Sequence, residues 1–154
     1  MKKLKVALIG NPNVGKTTLF NRLCGVNQKT GNYPGVTVDK KQGNFTHLSH
    51  SIDVIDLPGF DSIYPKSLDE ELVVDFLKEN SGNSDVDKLL FIADGTNIKK
   101  NLYLLSQIKD LGYDIVLAIN MMDVAKRKGI LIDKEAIAEE FGVHVVKISA
   151  RKGQ

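Results

Sequence analysis

Gly10-Asn11-Pro12-Asn13-Val14-Gly15-Lys16-Thr17 stands between an apolar run, Leu4 to Ile9, and a helix-forming stretch, Thr18-Leu19-Phe20-Asn21-Arg22-Leu23. A strand that passes into a helix through such a loop commits the chain to an α/β sheet with the loop at its carboxyl edge. The glycines let the backbone wrap a phosphate so that successive N–H groups point inward. Lys16 can then reach the β- and γ-phosphates, and the Thr17 hydroxyl can ligate magnesium. The helix N-terminus that begins at Lys16-Thr17-Thr18 adds a dipole that favours anions. These residues predict triphosphate binding; the alternative is a glycine-rich turn with no ligand.

At 154 residues and 42% hydrophobic, the chain suits one globular domain over residues 1–154. Its 21 basic and 19 acidic residues leave a net charge of +2, so the charge balance asks for no nucleic acid partner. The single cysteine, Cys24, has no partner for an internal disulfide and reads as a small buried apolar residue in a reducing compartment. Met1-Lys2-Lys3 runs directly into a short strand, which is too short for a signal-peptide core or a membrane span. The chain itself is expected to be soluble.

Strand-length apolar runs alternate with helical patterns, the signature of an α/β protein with a mainly parallel sheet. Six strands are predicted at Leu4–Ile9, Lys40–Thr46, Ser51–Leu57, Lys88–Ala93, Ile115–Asn120 and Val143–Ile148. Helices are predicted at Lys16–Cys24, Leu68–Asn80, Ile98–Leu111 and Lys134–Phe141, with a short one after Asp123. The segment between the second and third strands is too short for a crossover, so the second strand should be the one antiparallel member. Leu102, Leu105 and Ile108, widened by Leu104 and Leu111, form a stripe that packs on a sheet. Two irregular segments, Val26–Asp39 and Gly59–Pro65, follow the first helix and the third strand, where loops reach a ligand at the sheet's carboxyl edge.

Asp56-Leu57-Pro58-Gly59 places an acid and a glycine at that edge. Asp56 suits magnesium held through water, and Gly59 can approach the γ-phosphate; a strand-ending turn is the plainer alternative. Asn120-Met121-Met122-Asp123 ends the fifth strand, and Ser149-Ala150-Arg151 follows the sixth. A carboxylate at Asp123 can accept N1–H and N2–H of guanine, a donor pair that adenine lacks. The Ala150 amide can donate to guanine O6 while Asn120 ties the two loops together. His47 and His50 read as solvated hairpin-tip residues, and Lys126-Arg127-Lys128 as a helix C-terminus stabilised by its dipole.

With those five segments in place, the chain resembles the translation-factor-type GTPases. It departs where Met121 replaces the lysine of the base box, supplying apolar contact without charge, and where Phe60 follows Gly59. A glutamine at that second position orients water in Ras-like proteins, and phenylalanine cannot. The chain therefore resembles GTPases with a hydrophobic substitution there, which implies a potassium ion ligated by Asn13. Thr30-Gly31-Asn32-Tyr33-Pro34-Gly35-Val36-Thr37-Val38-Asp39 narrows the match to the FeoB-type ferrous iron transport family. Asp94-Gly95-Thr96-Asn97 and Ile148-Ser149-Ala150-Arg151-Lys152-Gly153 agree with it.

The resemblance implies a P-loop NTPase fold of three α/β/α layers. It implies slow GTP hydrolysis to GDP with magnesium at Thr17, Thr37 and Asp56 and potassium at Asn13, Gly31 and Asn32. Asn13, Lys16, Thr37 and Gly59 would act on the transferring phosphoryl group. Gly10 to Thr18, Gly35, Val36, Thr37, Asp56, Gly59, Asn120, Met121, Asp123, Ser149, Ala150 and Arg151 would hold the nucleotide. Tyr33 either covers the nucleotide or packs the loop. The family setting is the cytoplasmic side of the bacterial inner membrane, with helical and transmembrane parts as partners. Those parts and one last helix are expected beyond this sequence, so the bare sheet face predicts self-association or low stability. A soluble GTPase of ribosome assembly or tRNA modification is the competing reading.

Overall fold

A computed structural model describes residues 2–80 and 86–153, so Met1 and Gln154 lie outside it. The chain runs β1 (Lys2–Gly10), α1 (Lys16–Cys24), β2 (Gln28–Asn32), β3 (Asp39–His47), β4 (His50–Asp56), α2 (Leu68–Glu79) and β5 (Lys88–Asp94). It continues through α3 (Ile98–Lys109), β6 (Ile115–Asn120), α4 (Met122–Arg127), α5 (Lys134–Phe141), β7 (His144–Lys147) and a 3₁₀ turn over Ala150–Lys152. The seven strands form one sheet in the order β2-β3-β4-β1-β5-β6-β7. β1 pairs parallel with β4 and β5, and β5-β6-β7 stay parallel. β3 alone runs against its neighbours, as the short hairpin to β4 requires.

The fold class expected from sequence is borne out, with one strand added. Gln28–Asn32, expected to be irregular, pairs antiparallel with β3 as an edge strand. Its residues are almost all exposed, so no apolar alternation marks it. The β3–β4 hairpin turns tightly at Leu48, whose φ is 55°, and sets His47 opposite His50.

Helix ends follow local chemistry. Ser67 caps α2 by accepting from the Glu70 N–H at 3.2 Å, and Asp133 caps α5 by accepting from Ala136 N–H at 3.1 Å. Gly142, at φ 65°, stops α5 in the left-handed conformation that helix ends favour.

The core lies mainly on the sheet face covered by α2, α3 and α5, around Ala7, Ile9, Leu57, Phe60, Phe91, Leu104, Leu105, Ile108, Leu117 and Ile119. On the opposite face α1 packs Phe20 and Cys24 against Leu8, Val54 and Ile92. Cys24 is buried as expected, and burial, with the nearby Asp56 charge, pushes its thiol pKa up. Val6, Leu90, Val116 and Val146 remain half-buried. Strand pairing puts Leu90 and Val116 side by side on one face. No described helix is long and apolar enough to cross a membrane.

Candidate functional site

The carboxyl ends of β1, β4, β5, β6 and β7 bring the singled-out residues to one edge. Between β1 and α1 the chain turns through Asn13 at φ 64° and Gly15 at φ 93°, both left-handed. Gly15 also has no room for a side chain: a Cβ there would sit 2.3 Å from Asn120 Nδ2. Gly59 is tight as well, since a Cβ would lie 2.8 Å from the Pro12 Cα. Glycine at 59 thus lets the loop after β4 lie directly against the phosphate loop. Lys16, Thr17 and Thr18 form the first turn of α1, and the two threonines are exposed.

Lys16 Nζ lies 3.1 Å from Asp56 Oδ1, with the two side chains only 11% and 5% exposed. The residue expected at the phosphates and the acid expected at magnesium thus compensate one another. Such a pair needs its partner, because a buried lone charge is costly.

The base-side loops are joined as the sequence suggests. Asn120, only 3% exposed, donates from Nδ2 to the Val14 carbonyl at 3.0 Å and accepts from the Ala150 N–H at 2.9 Å. The Ala150 amide, expected at guanine O6, is therefore engaged with Asn120. Asp123 N–H donates to Ser149 Oγ at 3.1 Å. Among the described residues the Asp123 Oδ2 is buried with no hydrogen-bond donor, and its ion-pair partners are Arg151 at 3.6 Å and Lys152 at 3.9 Å. Burial pushes this carboxyl up, but the Val124 N–H, the Ser149 hydroxyl, Lys152 and its own amide together outweigh it, so its pKa lies below the ordinary value. Met121, at φ 60°, begins α4, and its Cε comes within 4.0 Å of a Cβ built on Gly15. Arg22 of α1 donates to the Arg151 carbonyl at 2.6 Å, anchoring the last loop.

The switch-like segment stands apart. Pro34-Gly35 forms a turn closed by the Val36 N–H donating to the Tyr33 carbonyl at 3.3 Å, with Gly35 at φ 75° as a type II turn needs. Thr37 is exposed, and Gly31 and Asn32 pair with Lys40 and Asp39 inside β2. Among the described residues no hydrogen bond links Gly31, Asn32 or Thr37 to the phosphate loop. Tyr33 packs against the main core, so packing is the role this arrangement displays. Its hydroxyl is buried without a hydrogen-bond partner among the described residues, and its pKa is raised by burial and then by the charge of Asp56.

Two contacts escape any reading of local motifs. Asn11 Nδ2 donates to Asp61 Oδ1 at 3.0 Å, and Gly95 N–H donates to the Asn120 carbonyl at 2.9 Å. Asp61 sits in a Gly/Pro/Ser segment where an aspartate reads as a turn former, so nothing local marks it.

A family profile for ferrous iron transport protein B matches residues 4–154. The Fe(2+) transporter FeoB of Salmonella typhimurium is 40% identical over 158 aligned residues, which take in 100% of this chain and 20% of that protein. The chain thus spans about a fifth of the curated relatives it matches. Among solved structures, the cytosolic domain of T. maritima FeoB in a GDP form superposes with a TM-score of 0.92 at 41% identity, over 99% of this chain and 58% of that one. The separately solved G domain of T. maritima FeoB gives 0.89 at 41% identity, over 99% and 91%. Fold, site loops and these matches agree: this chain belongs to the ferrous iron transport protein B family and corresponds to its G domain.

Proposed function

We propose that the chain binds GTP and hydrolyses it to GDP and phosphate as a slow, magnesium-dependent and potassium-activated switch. Its output is ferrous iron uptake by a longer protein at the cytoplasmic face of the inner membrane. The observation that carries the nucleotide reading is Asp123: an ionised carboxylate only 12% exposed, with an oxygen that no hydrogen-bond donor among the described residues satisfies. Guanine N1–H and N2–H supply that donor pair, and adenine does not. Asn120 fixes this pocket to the phosphate loop through Val14, so base and phosphates are held by one rigid unit.

Lys16 and the loop amides stabilise charge on the transferring phosphoryl group. A phosphate oxygen would take Lys16 from Asp56, which frees the acid. The oxygen donors Thr17, Thr37 and Asp56 suit magnesium, and those of Asn13, Gly31 and Asn32 suit potassium; the two ions would supply positive charge at the β- and γ-phosphates. Bringing Gly31, Asn32 and Thr37 to the nucleotide requires the β2 edge and the Pro34-Gly35 turn to move. Loss of the γ-phosphate would release Thr37 and Gly59 and return both loops. The half-buried Val6, Leu90, Val116 and Val146 give self-association an apolar surface.

Hydrolysis of GTP, ITP and ATP, measured in potassium and in sodium, tests this reading. GTP in potassium should be fastest, ATP should not be turned over, and Asn13→Ala should abolish the potassium advantage. Equal rates on GTP and ATP would refute the guanine assignment; equal rates in the two salts would refute the potassium role.

A further inference from the structure

We propose that Asp61 orients the attacking water in GTP hydrolysis, with Asn11 and Lys100 as the residues that position its carboxylate; this rests on the hydrolytic reading above. Phe60, which follows Gly59, is fully buried in the core. Its N–H donates to the Gly10 carbonyl at 3.2 Å, so the chain at this point still runs alongside the end of β1. Gly59 presses on the Pro12 backbone. The next side chain is Asp61, and it meets the phosphate loop, where its Oδ1 accepts from Asn11 Nδ2 at 3.0 Å.

The surroundings fit a fixed acceptor. Lys100 Nζ of α3 lies 3.5 Å from the same Oδ1 and offsets the charge that would otherwise repel a γ-phosphate. Both contacts fall on Oδ1. Oδ2 makes no hydrogen bond or ion pair among the described residues, and the side chain is 51% exposed, so this oxygen can accept from water. The Asp61 N–H donates to Glu70 Oε2 at 3.1 Å, and the Ile63 N–H to Gln107 Oε1 at 3.1 Å, which pins the loop on both sides of the carboxylate. Asn11 is 3% exposed and among the described residues its Oδ1 has no donor, so the bond to Asp61 sets its orientation: a flipped amide would turn oxygen toward the carboxylate.

Other nearby acids have other roles. Asp56, once freed from Lys16, belongs to the magnesium set proposed above, and Glu70 accepts from Asp61 N–H on one oxygen and Lys66 N–H on the other. In the step itself, the water oxygen bonds to the γ-phosphorus as the bond from that phosphorus to the bridging oxygen breaks, and its electron pair leaves with GDP. The water proton passes to the Asp61 carboxylate and from there to the released phosphate, which restores the carboxylate.

Single-turnover hydrolysis of GTP with magnesium and potassium, beside binding of fluorescent GDP and thermal melting, tests the assignment. Asp61→Asn keeps an oxygen for Asn11 and removes the charge. It should slow hydrolysis about tenfold or more and leave GDP affinity within about twofold. Asn11→Ala should slow the wild-type background and add nothing to Asp61→Asn, as expected of a residue acting through Asp61. Wild-type turnover by Asp61→Asn, or a loss of affinity equal to the loss of rate, overturns the inference while the GTPase reading stands. Failure of the wild-type chain to hydrolyse GTP overturns both.

Discussion

Replacing Asn120 by alanine isolates the tie between the base loops and the phosphate loop. The change removes two buried hydrogen bonds, to the Val14 carbonyl at 3.0 Å and from the Ala150 N–H at 2.9 Å. Val14 and Ala150 are themselves 3% and 4% exposed, so the orphaned carbonyl and amide have little access to water. Each orphan costs about 1–3 kcal/mol, which places the expected loss near 3 kcal/mol and within about 2–6. For a chain of this size that lowers Tm by roughly 6–12 °C. There is no tryptophan, so urea unfolding of the nucleotide-free protein is best followed by far-UV circular dichroism. The midpoint should fall with an unchanged m-value. Asn120→Asp sharpens the reasoning. It keeps the acceptor for Ala150 but turns an unpaired anion on the Val14 carbonyl, so it should lose more than alanine at pH 7. Protonation would restore a donor, so its deficit relative to wild type should shrink toward pH 4. An Asn120→Ala protein within about 0.5 kcal/mol of wild type would show that the two loops do not depend on this side chain.

The other expectations concern single buried groups. Tyr33→Phe removes a hydroxyl that is buried without a partner and lies near the Asp56 charge, so the nucleotide-free protein should gain about 1 kcal/mol and melt roughly 2–4 °C higher. A drop in Tm would reveal a partner for that hydroxyl. Asp123 titrates below the ordinary Asp value of about 3.9, so the stability it contributes is full above that pH and is lost as pH falls through its folded pKa. Between about pH 5.5 and 8 the carboxylate stays ionised, and the ratio of GTP to ATP affinity should be flat; a ratio that rises or falls across that window would mean another group governs base choice.

Local pattern made much of the site legible. The phosphate loop, the acid at the end of β4 and the two base loops each end a strand whose apolar run is plain in sequence, and the parallel order then forces them to one edge. Gly15, Gly59 and Asn120 were readable as backbone and hydrogen-bond requirements. β2 was not, because an exposed edge strand of Gln28 to Asn32 carries no core-facing alternation, and pairing with β3 alone defines it. The Lys16–Asp56 bond was hidden too, since each residue has a stronger expected ligand and 40 residues separate them. Asp61 was missed for the same reason: its partner Asn11 lies 50 residues away.

The same contacts join the loops proposed to read the base to the loop proposed to hold the phosphates. Val14, Gly15 and Lys16 are consecutive, yet Val14 bonds Asn120, Gly15 abuts the Asn120 amide, and Lys16 pairs with Asp56. On the other side of the loop, Asn11 holds Asp61 and Pro12 meets Gly59. A shift of the loop backbone by a few tenths of an ångström therefore reaches both the base loops and the segment after β4, because close-packed contacts transmit displacement rather than absorb it. Under the proposed function, a γ-phosphate that drew Lys16 away from Asp56 would act on this shared element. Motion of the loop after β4 would then follow from breaking one buried ion pair, with no separate trigger in the base pocket.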